Sequence, residues 1–370
     1  MDKCKLFLYQ PEMTSYRAHY FNELSKNCTI EGFSDYSSSG KGFCEASLDF
    51  PVKYGKRIAF AGGRVFWHQG FLSCFIRGRY DVAFVTANPR NIALWFFLIL
   101  AFLKRVPVLL HGQGLYNKSP IRSMNKILYV ILLSFSNRYL CYTELSRLSL
   151  GWLPKRLYAK VVVVENAIYN HFPVVPSEKE FSELSDVLFV GRLREGVGLE
   201  NLADAILSLD CNRSVRLHVV GEGENFERYK NLYSDVPDRI IFYGSIYDDK
   251  EISKLSKICL VGCYPGRAGL SVVHYMSMSL IPLVHSDIKS HMGPEPSYIM
   301  NGYNGYTFDG YDSDSIENAL RKLMATTPDS KFEVASNAYL TYVDLNSPSM
   351  SEKIYDSVIS EKERGYALFG

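Results

Sequence analysis

Three short glycine turns carry the most telling chemistry of this chain: Gly191-Arg192-Leu193, Gly221-Glu222-Gly223 and Gly244-Ser245, each directly after a short apolar run. Glycine lets a backbone approach a ligand closely or take a positive φ, and an arginine beside it supplies a fork of donors that fits a phosphate. Arg192 and Arg194 are therefore phosphate candidates, although an ordinary surface arginine after a strand reads the same way. A further glycine-bearing loop opens the run PGRAGLSVVHYMSMSLIP, residues 265–282. It follows an apolar segment at 258–262 and leads through a helix-like pattern to a second apolar segment at 282–285. In a parallel sheet this order puts Gly266, Gly269 and Leu270 beyond a strand end, where the start of a helix receives an anion.

In the first half, LLHGQGLYNKSP places His111 and Gln113 directly after an apolar run. A histidine with an ordinary pKa orients a substrate or relays a proton near neutrality, and a plain strand-end turn is the alternative. Near the start, PEMTSYRAHYFNEL offers Glu12, Tyr16 and Arg17 on a loop and helix, which equally suits a simple capped helix.

These residues need elements to hold them. Apolar runs at 5–9, 81–85, 107–111, 138–142 and 160–164 alternate with longer helical patterns, and 187–191, 216–221, 240–244, 258–262 and 282–285 repeat the habit. Helices are expected between the second set, at 199–209, 225–233 and 248–256. Strands alternating with helices give mainly parallel sheets, so the reading is α/β with two domains, 1–174 and 175–350. Residues 169–186, with two prolines and modest apolar content, read as the linker, and 37–40 as a short serine-glycine loop.

The apolar stretches 92–105 and 126–140 border on basic residues such as Arg122, Lys126 and Arg138. They serve either as core helices or as a peripheral contact with the inner face of a membrane.

Composition narrows the classes. The 370 residues carry a net charge of +2 with 47% hydrophobic and 22% charged residues, which suits a globular enzyme and makes no demand for nucleic acid. The eight cysteines show no C-x-x-C spacing, so no zinc or redox site is expected, and Cys259 and Cys263 read as packing residues. The first ten residues, MDKCKLFLYQ, lack a signal-peptide core and the longest apolar run is too short to span a bilayer, so a cytoplasmic protein is expected. A nicotinamide oxidoreductase is disfavoured, because no Gly-x-Gly-x-x-Gly follows the first strand with an acidic residue downstream.

The ordered set VLFVGRLREGVGLENLADAI, LHVVGEGENFERYKNL and IIFYGSIYDDKEISKLSKICLVGCYPGRAGLSVVHYMSMSLIPLVHS, closing with MGPEPSYIMNGYNGYTF, resembles the nucleotide-sugar half of family-4 glycosyltransferases over residues 187–310. The resemblance implies a GT-B fold, two Rossmann-like domains facing across a cleft, with the donor held by the second and the last helix, about 351–370, packing back on the first. It implies a retaining hexosyltransferase that moves a sugar from a nucleoside-diphosphate sugar to a glycan or lipid-linked glycan hydroxyl in surface polysaccharide biosynthesis. Neither a cofactor nor a metal is implied. The implied donor residues are Gly191, Arg192, Arg194, Gly221, Gly223, Gly244, Ser245, Gly266, Gly269, Leu270, His274 and Glu295, with His111 and Arg192 catalytic. Glu12, Tyr16, Arg17 and Gln113 fall on the acceptor side. Two departures stand out: Val197 occupies the family's lysine position, and Gly266 and His274 replace its paired glutamates, as in a subset with Pro-Gly-x-x-Gly-Leu and a later His. They motivate an alternative, a noncatalytic GT-B protein that binds a glycan or a nucleotide.

Overall fold

The structure is a computed structural model that describes residues 3–35, 47–118, 120–183, 185–209 and 215–365; the 37–40 loop, Cys44, Cys211 and residues 366–370 lie outside these. The chain divides into two compact units, Met1–Asn166 with Pro348–Gly370, and Ala167–Ser347. The dividing point precedes the proline-bearing segment that reads as a linker in the sequence. The reason is that this segment is packed: the Val174 N–H donates to Ser277 O at 3.0 Å, and buried Lys179 donates to Ser279 O at 3.1 Å.

The first unit contains β1 (Cys4–Tyr9), α1 (Ser15–Asn27), β2 (Cys28–Asp35), β3 (Val52–Gly55), β4 (Arg57–Phe60), β5 (Val65–His68), α2 (Phe71–Arg77), β6 (Val82–Thr86) and α3 (Ile92–Lys104). It continues with β7 (Val108–Gly112), α4 (Ser123–Ser134), β8 (Arg138–Cys141), α5 (Glu144–Leu148), α6 (Lys155–Tyr158) and β9 (Val161–Val163). Seven strands form one parallel sheet in the order β3-β2-β1-β6-β7-β8-β9, and β4 and β5 form a separate antiparallel hairpin. The apolar stretch 126–140 is thus two elements: the helix stops at Ser134, and Arg138 begins the next strand. Aromatic side chains of β1, α2 and α3, among them Phe7, Phe71, Phe75 and Phe97, fill one face of this sheet.

The second unit contains β10 (Asp186–Val190), α7 (Leu199–Ser208), β11 (Leu217–Val220), α8 (Phe226–Leu232), β12 (Ile240–Gly244), α9 (Asp249–Ser256), β13 (Cys259–Tyr264), α10 (Ser271–Ser277), β14 (Ile281–His285), β15 (Tyr306–Phe308), α11 (Ser313–Met324) and α12 (Pro328–Leu345). Its parallel sheet runs β12-β11-β10-β13-β14-β15. In both units the strand order turns back on itself, at β1/β6 and at β10/β13, and such a switch point opens a crevice beyond the strand C-termini. The chain then returns to the first unit as α13 (Met350–Arg364), which starts at a capping box of Ser349 and Glu352 and packs against α1. Among the described residues no helix is long and apolar enough to cross a membrane, and Cys259 and Cys263 are buried free thiols.

A polar network anchors the second sheet at the end away from the switch point. The Asp186 carboxylate, wholly buried, accepts from Arg216 at 2.6 and 2.9 Å and from His218 Nε2 at 3.3 Å, while Tyr243 donates to His218 Nδ1 at 2.9 Å. Burial alone would push the Asp186 carboxyl up, but the hydrogen bonds from His218 and Arg216 outweigh it and hold the group below its ordinary value. A carboxyl depressed in the folded state stabilises above its unfolded pKa and loses that contribution as pH falls through the native value. Asp186→Asn is therefore expected to cost about 3 kcal/mol at pH 7, the low end for a broken buried pair because Arg216 keeps part of its side chain in solvent. Urea denaturation at pH 7 and at pH 3 checks it: the gap between the two proteins should narrow in acid.

Candidate functional site

At the β10/β13 switch point the glycine turns interlock through their backbones. Gly191 N donates to Val220 O at 3.0 Å, Leu193 N to Glu222 O at 2.9 Å, Asn225 N to Leu193 O at 3.1 Å, and Gly221 N to Gly244 O at 2.8 Å. A Cβ on Gly221 would collide with the Gly191 carbonyl, and one on Gly223 with the Leu193 carbonyl; both glycines sit at positive φ, +139° and +156°. Gly221→Ala should therefore displace the 191–193 turn and cost about 1–3 kcal/mol, read as a lower denaturation midpoint together with loss of ligand binding at this site.

Arg192 rises from this ladder with about a third of its side chain exposed, 4.0 Å from Glu224. Its Nε is buried and has no partner among the described residues. Arg194 lies beside the sulfur of Met292 and the hydroxyl of Tyr264, so it is already engaged within the fold. Val197 is buried in the core while its main chain lies flat against Gly266, where a Cβ would strike the carbonyls of Gly196 and Val197. Position 197 thus presents no side chain to the site, and the close contact at 266 requires glycine.

The loop 265–270 is held from beneath. Ala268 N donates to His291 Nδ1 at 3.2 Å, and His291 Nε2 donates to His285 O at 2.8 Å. Burial lowers the His291 pKa, which suits the neutral tautomer these bonds require. The buried carboxylate of Glu295 lies against Gly293 and close to Gly269. Tyr275 ties α10 to the sheet, accepting from Val190 N at 3.0 Å and donating to Cys263 O at 3.2 Å. Helix α10 has only seven residues, so its start contributes less to an anion than the sequence pattern suggests. Ser271 Oγ, at its first position, is buried without a partner among the described residues, and Arg267 is exposed on the same loop.

His274 sits partly buried in α10; burial lowers its pKa and the charge of Asp249 only partly offsets this. A neutral ring hydrogen-bonds a hydroxyl better than it pairs with a phosphate. Gly244 and Ser245 face Glu222, whose Oε1 accepts from Ser245 N at 3.4 Å, and Leu270 is half-buried before α10. His291, Tyr264 and Ser271 were not legible as site residues, since each is a lone polar or aromatic residue in an apolar or turn context.

The switch point of the first unit gathers a second polar cluster. Arg17, buried in α1, donates to Gln10 Oε1 at 3.0 Å and to the Tyr142 hydroxyl at 3.1 Å, and Thr86 also donates to Gln10 at 3.0 Å. His111, at the end of β7, is fully enclosed with its ring 4.6 Å from that of Tyr142. Neither of its ring nitrogens, nor Gln10 Nε2 nor Thr14 Oγ1, has a partner among the described residues. Burial, reinforced by the Arg17 charge, pushes the His111 pKa well below its ordinary value. The ring is therefore neutral near pH 7, which suits hydrogen bonding better than the proton relay expected from an ordinary histidine. Glu12, Tyr16 and Gln113 are exposed, with the Tyr16 ring 5.6 Å from the guanidinium of Arg17. Among the described residues no group of His, Cys, Asp and Glu could hold a metal ion.

Two parallel α/β units with loops gathered at their switch points invite comparison with known folds. Anabaena HepE in complex with UDP superposes with a TM-score of 0.69 at 16% identity, covering 97% of this chain and 100% of that one. The fold is GT-B. A lipopolysaccharide outer core galactosyltransferase, WaaB, shares this GT-B fold at a TM-score of 0.60 and 14% identity, over 94% of this chain and 99% of its own. An E. coli protein described as trehalose-6-phosphate bound with UDP-2-fluoro glucose matches at 0.63 and 11% identity, covering 96% and 98% of the two chains. Residues 174–339, nearly all of the second unit, match the family described as Glycosyl transferases group 1. No curated protein sequence matches this one.

Proposed function

We propose that this chain is a retaining, hexosyl-type glycosyltransferase of the family-4 kind, in the subset with Pro-Gly-x-x-Gly-Leu and a later histidine. It moves a sugar from a nucleoside-diphosphate sugar to a hydroxyl of a glycan or lipid-linked glycan in surface polysaccharide assembly, at the cytoplasmic face of a membrane. The second unit takes the donor and the first the acceptor. The observation that carries this reading is the buried, unpartnered Nε of Arg192 at the β10/β13 switch point, above a ladder of glycine turns that interlock through their backbones. A buried donor without a partner calls for an acceptor, and a diphosphate oxygen supplies one.

As the donor bond breaks, negative charge grows on the leaving diphosphate, and Arg192 stabilises it without a metal. His274, neutral, and Ser271 are suited to donor hydroxyls. Glu295 and His291 act by holding the 265–270 loop. In the first unit, the cluster around Arg17, with neutral His111 enclosed against Tyr142, orders the acceptor side. Uridine is the favoured donor base, since HepE is solved in complex with UDP and with UDP-glucose.

A second reading, a noncatalytic binder, draws on the burial of Val197 and the backbone packing at Gly266, which leave the family's lysine and first glutamate without counterparts. Incubating the protein with a panel of nucleoside-diphosphate sugars and lipid-linked glycan extracts, and following released nucleoside diphosphate, separates the two. Release with one donor, tied to a glycosylated product, supports the transferase; donor binding with no consumption under any acceptor supports the binder.

A further inference from the structure

One face of the first unit combines two features that soluble surfaces seldom combine. Residues 50–143 contain thirteen lysines and arginines against a single acidic residue, Asp81, so the rest of the chain is net acidic although the whole carries only +2. Helix α3 within this stretch, IALWFFLILAFLK, is apolar except for its last residue. A helix apolar all round belongs in a core or a bilayer, and thirteen residues are too few to span one. The structure buries only one side of it: Ala93, Leu94, Phe97, Leu98 and Ala101 face the sheet, while Phe96, Ile99 and Leu103 stand 54%, 51% and 70% exposed.

Helix α4 does the same. Tyr129, Leu132 and Leu133 are buried, and Met124 and Ile127 are 63% and 54% exposed. The β6-α3-β7 and β7-α4-β8 crossovers step the same way along the sheet, so the two helices cover one face, and the rings of Phe102 and Phe135 meet at 6.1 Å between them. Neither helix contains an acidic residue, and exposed Arg105, Arg122 and Lys126 border the apolar row. Beside α3 the β4–β5 hairpin adds a further exposed ring, Phe60, next to a turn of Ala61, Gly62, Gly63 and Arg64.

We propose that this face docks on an anionic lipid bilayer, the outer apolar rows of α3 and α4 entering the boundary between headgroups and acyl chains while Arg105, Arg122 and Lys126 meet lipid phosphates. Charge selects the occupant. A protein partner would need only the apolar row, whereas two helices without an acidic residue, rimmed with arginine and lysine, complement a continuous sheet of phosphates. The proposal builds on the lipid-linked acceptor in the proposed function, yet vesicle binding requires no donor turnover, so either reading can fail while the other stands.

Flotation of the intact protein with vesicles of phosphatidylglycerol and phosphatidylcholine, against phosphatidylcholine alone, tests it. Binding is expected to the anionic vesicles, to fall in high salt, and to weaken about fivefold for each of Arg105→Ala, Arg122→Ala and Lys126→Ala. Ile99→Glu with Leu103→Glu should abolish binding and leave thermal melting near that of the wild type, because half or more of each side chain is already exposed. The proposal is overturned if the wild-type protein stays unbound or if the double glutamate variant floats as well as the wild type. It is equally overturned if the protein is a dimer that this variant dissociates without any vesicle binding, which would make the face an interface between two copies.

Discussion

Arg192→Ala is expected to weaken binding of the nucleoside diphosphate about 10- to 150-fold and to lower turnover by at least as much, while melting stays within error of the wild type. The magnitude is that of a lost charge-assisted hydrogen bond, about 1.5–3 kcal/mol. The size of the effect rests on how little else can take over: position 197 holds a buried valine, and Arg194 is committed to Met292 and Tyr264. Stability should be spared, because the ion pair of Arg192 with Glu224 is long and exposed, and such pairs contribute little. Equilibrium binding and initial rates on the purified variant decide the matter. Wild-type affinity in the variant would remove Arg192 from the site.

Deleting residues from 351 onward is expected to destabilise the first unit by 5 kcal/mol or more, a large part of what an ordinary domain possesses. Ile354 and Val358 are fully buried on the face of α13 that packs against α1, and each such side chain contributes about 1.5–3 kcal/mol. Glu361, also buried, accepts from Arg138 Nε at 2.8 Å, and its removal leaves that guanidinium without its carboxylate. The sequence pointed to a helix here that packs back on the first domain; its structural role is as a component of that unit's own core. Hydrogen exchange localises the loss, since protection should fall in β1 and α1 while β10 to β14 keep theirs. If the truncated protein does not fold, Ile354→Ala gives the same pattern at about 2–5 kcal/mol. A truncated protein that melts as the wild type does would contradict this.

The second unit was the more legible half because β10, β11 and β12 are short apolar runs that each end in a glycine turn, and the proposed donor site lies at those turns. In the first unit β2, CTIEGFSD, carries Thr29, Glu31 and Gly32 and does not read as a buried strand; it becomes one because it pairs along both edges, with β1 and β3, and turns Cys28, Ile30 and Phe33 into the core. The β4–β5 hairpin is illegible for the opposite reason: the apolar residues of β4 are all exposed and match no core pattern. That Arg192 and the glycine turns follow strand ends could be read from residue type and order alone. His111 and Arg17 could be named but not characterised, since their burial, and with it the neutral state of His111, depends on Tyr142 and Gln10, far away in sequence. Likewise no local signal marks His291 as a support of the 265–270 loop, and Glu295, named from the Gly-Pro-Glu segment as a donor residue, lies beside that loop only through the fold.

The most direct test of the donor site is calorimetric titration of the intact protein with UDP, GDP, CDP and ADP, and with NAD as a control, each in the presence of a chelator and again with magnesium. One nucleoside diphosphate, with UDP expected, should bind with the same affinity in both conditions and lose it in Arg192→Ala, while NAD does not bind. Failure of every nucleoside diphosphate to bind, or binding that appears only with magnesium and persists in Arg192→Ala, would contradict a metal-free donor site at the β10/β13 switch point.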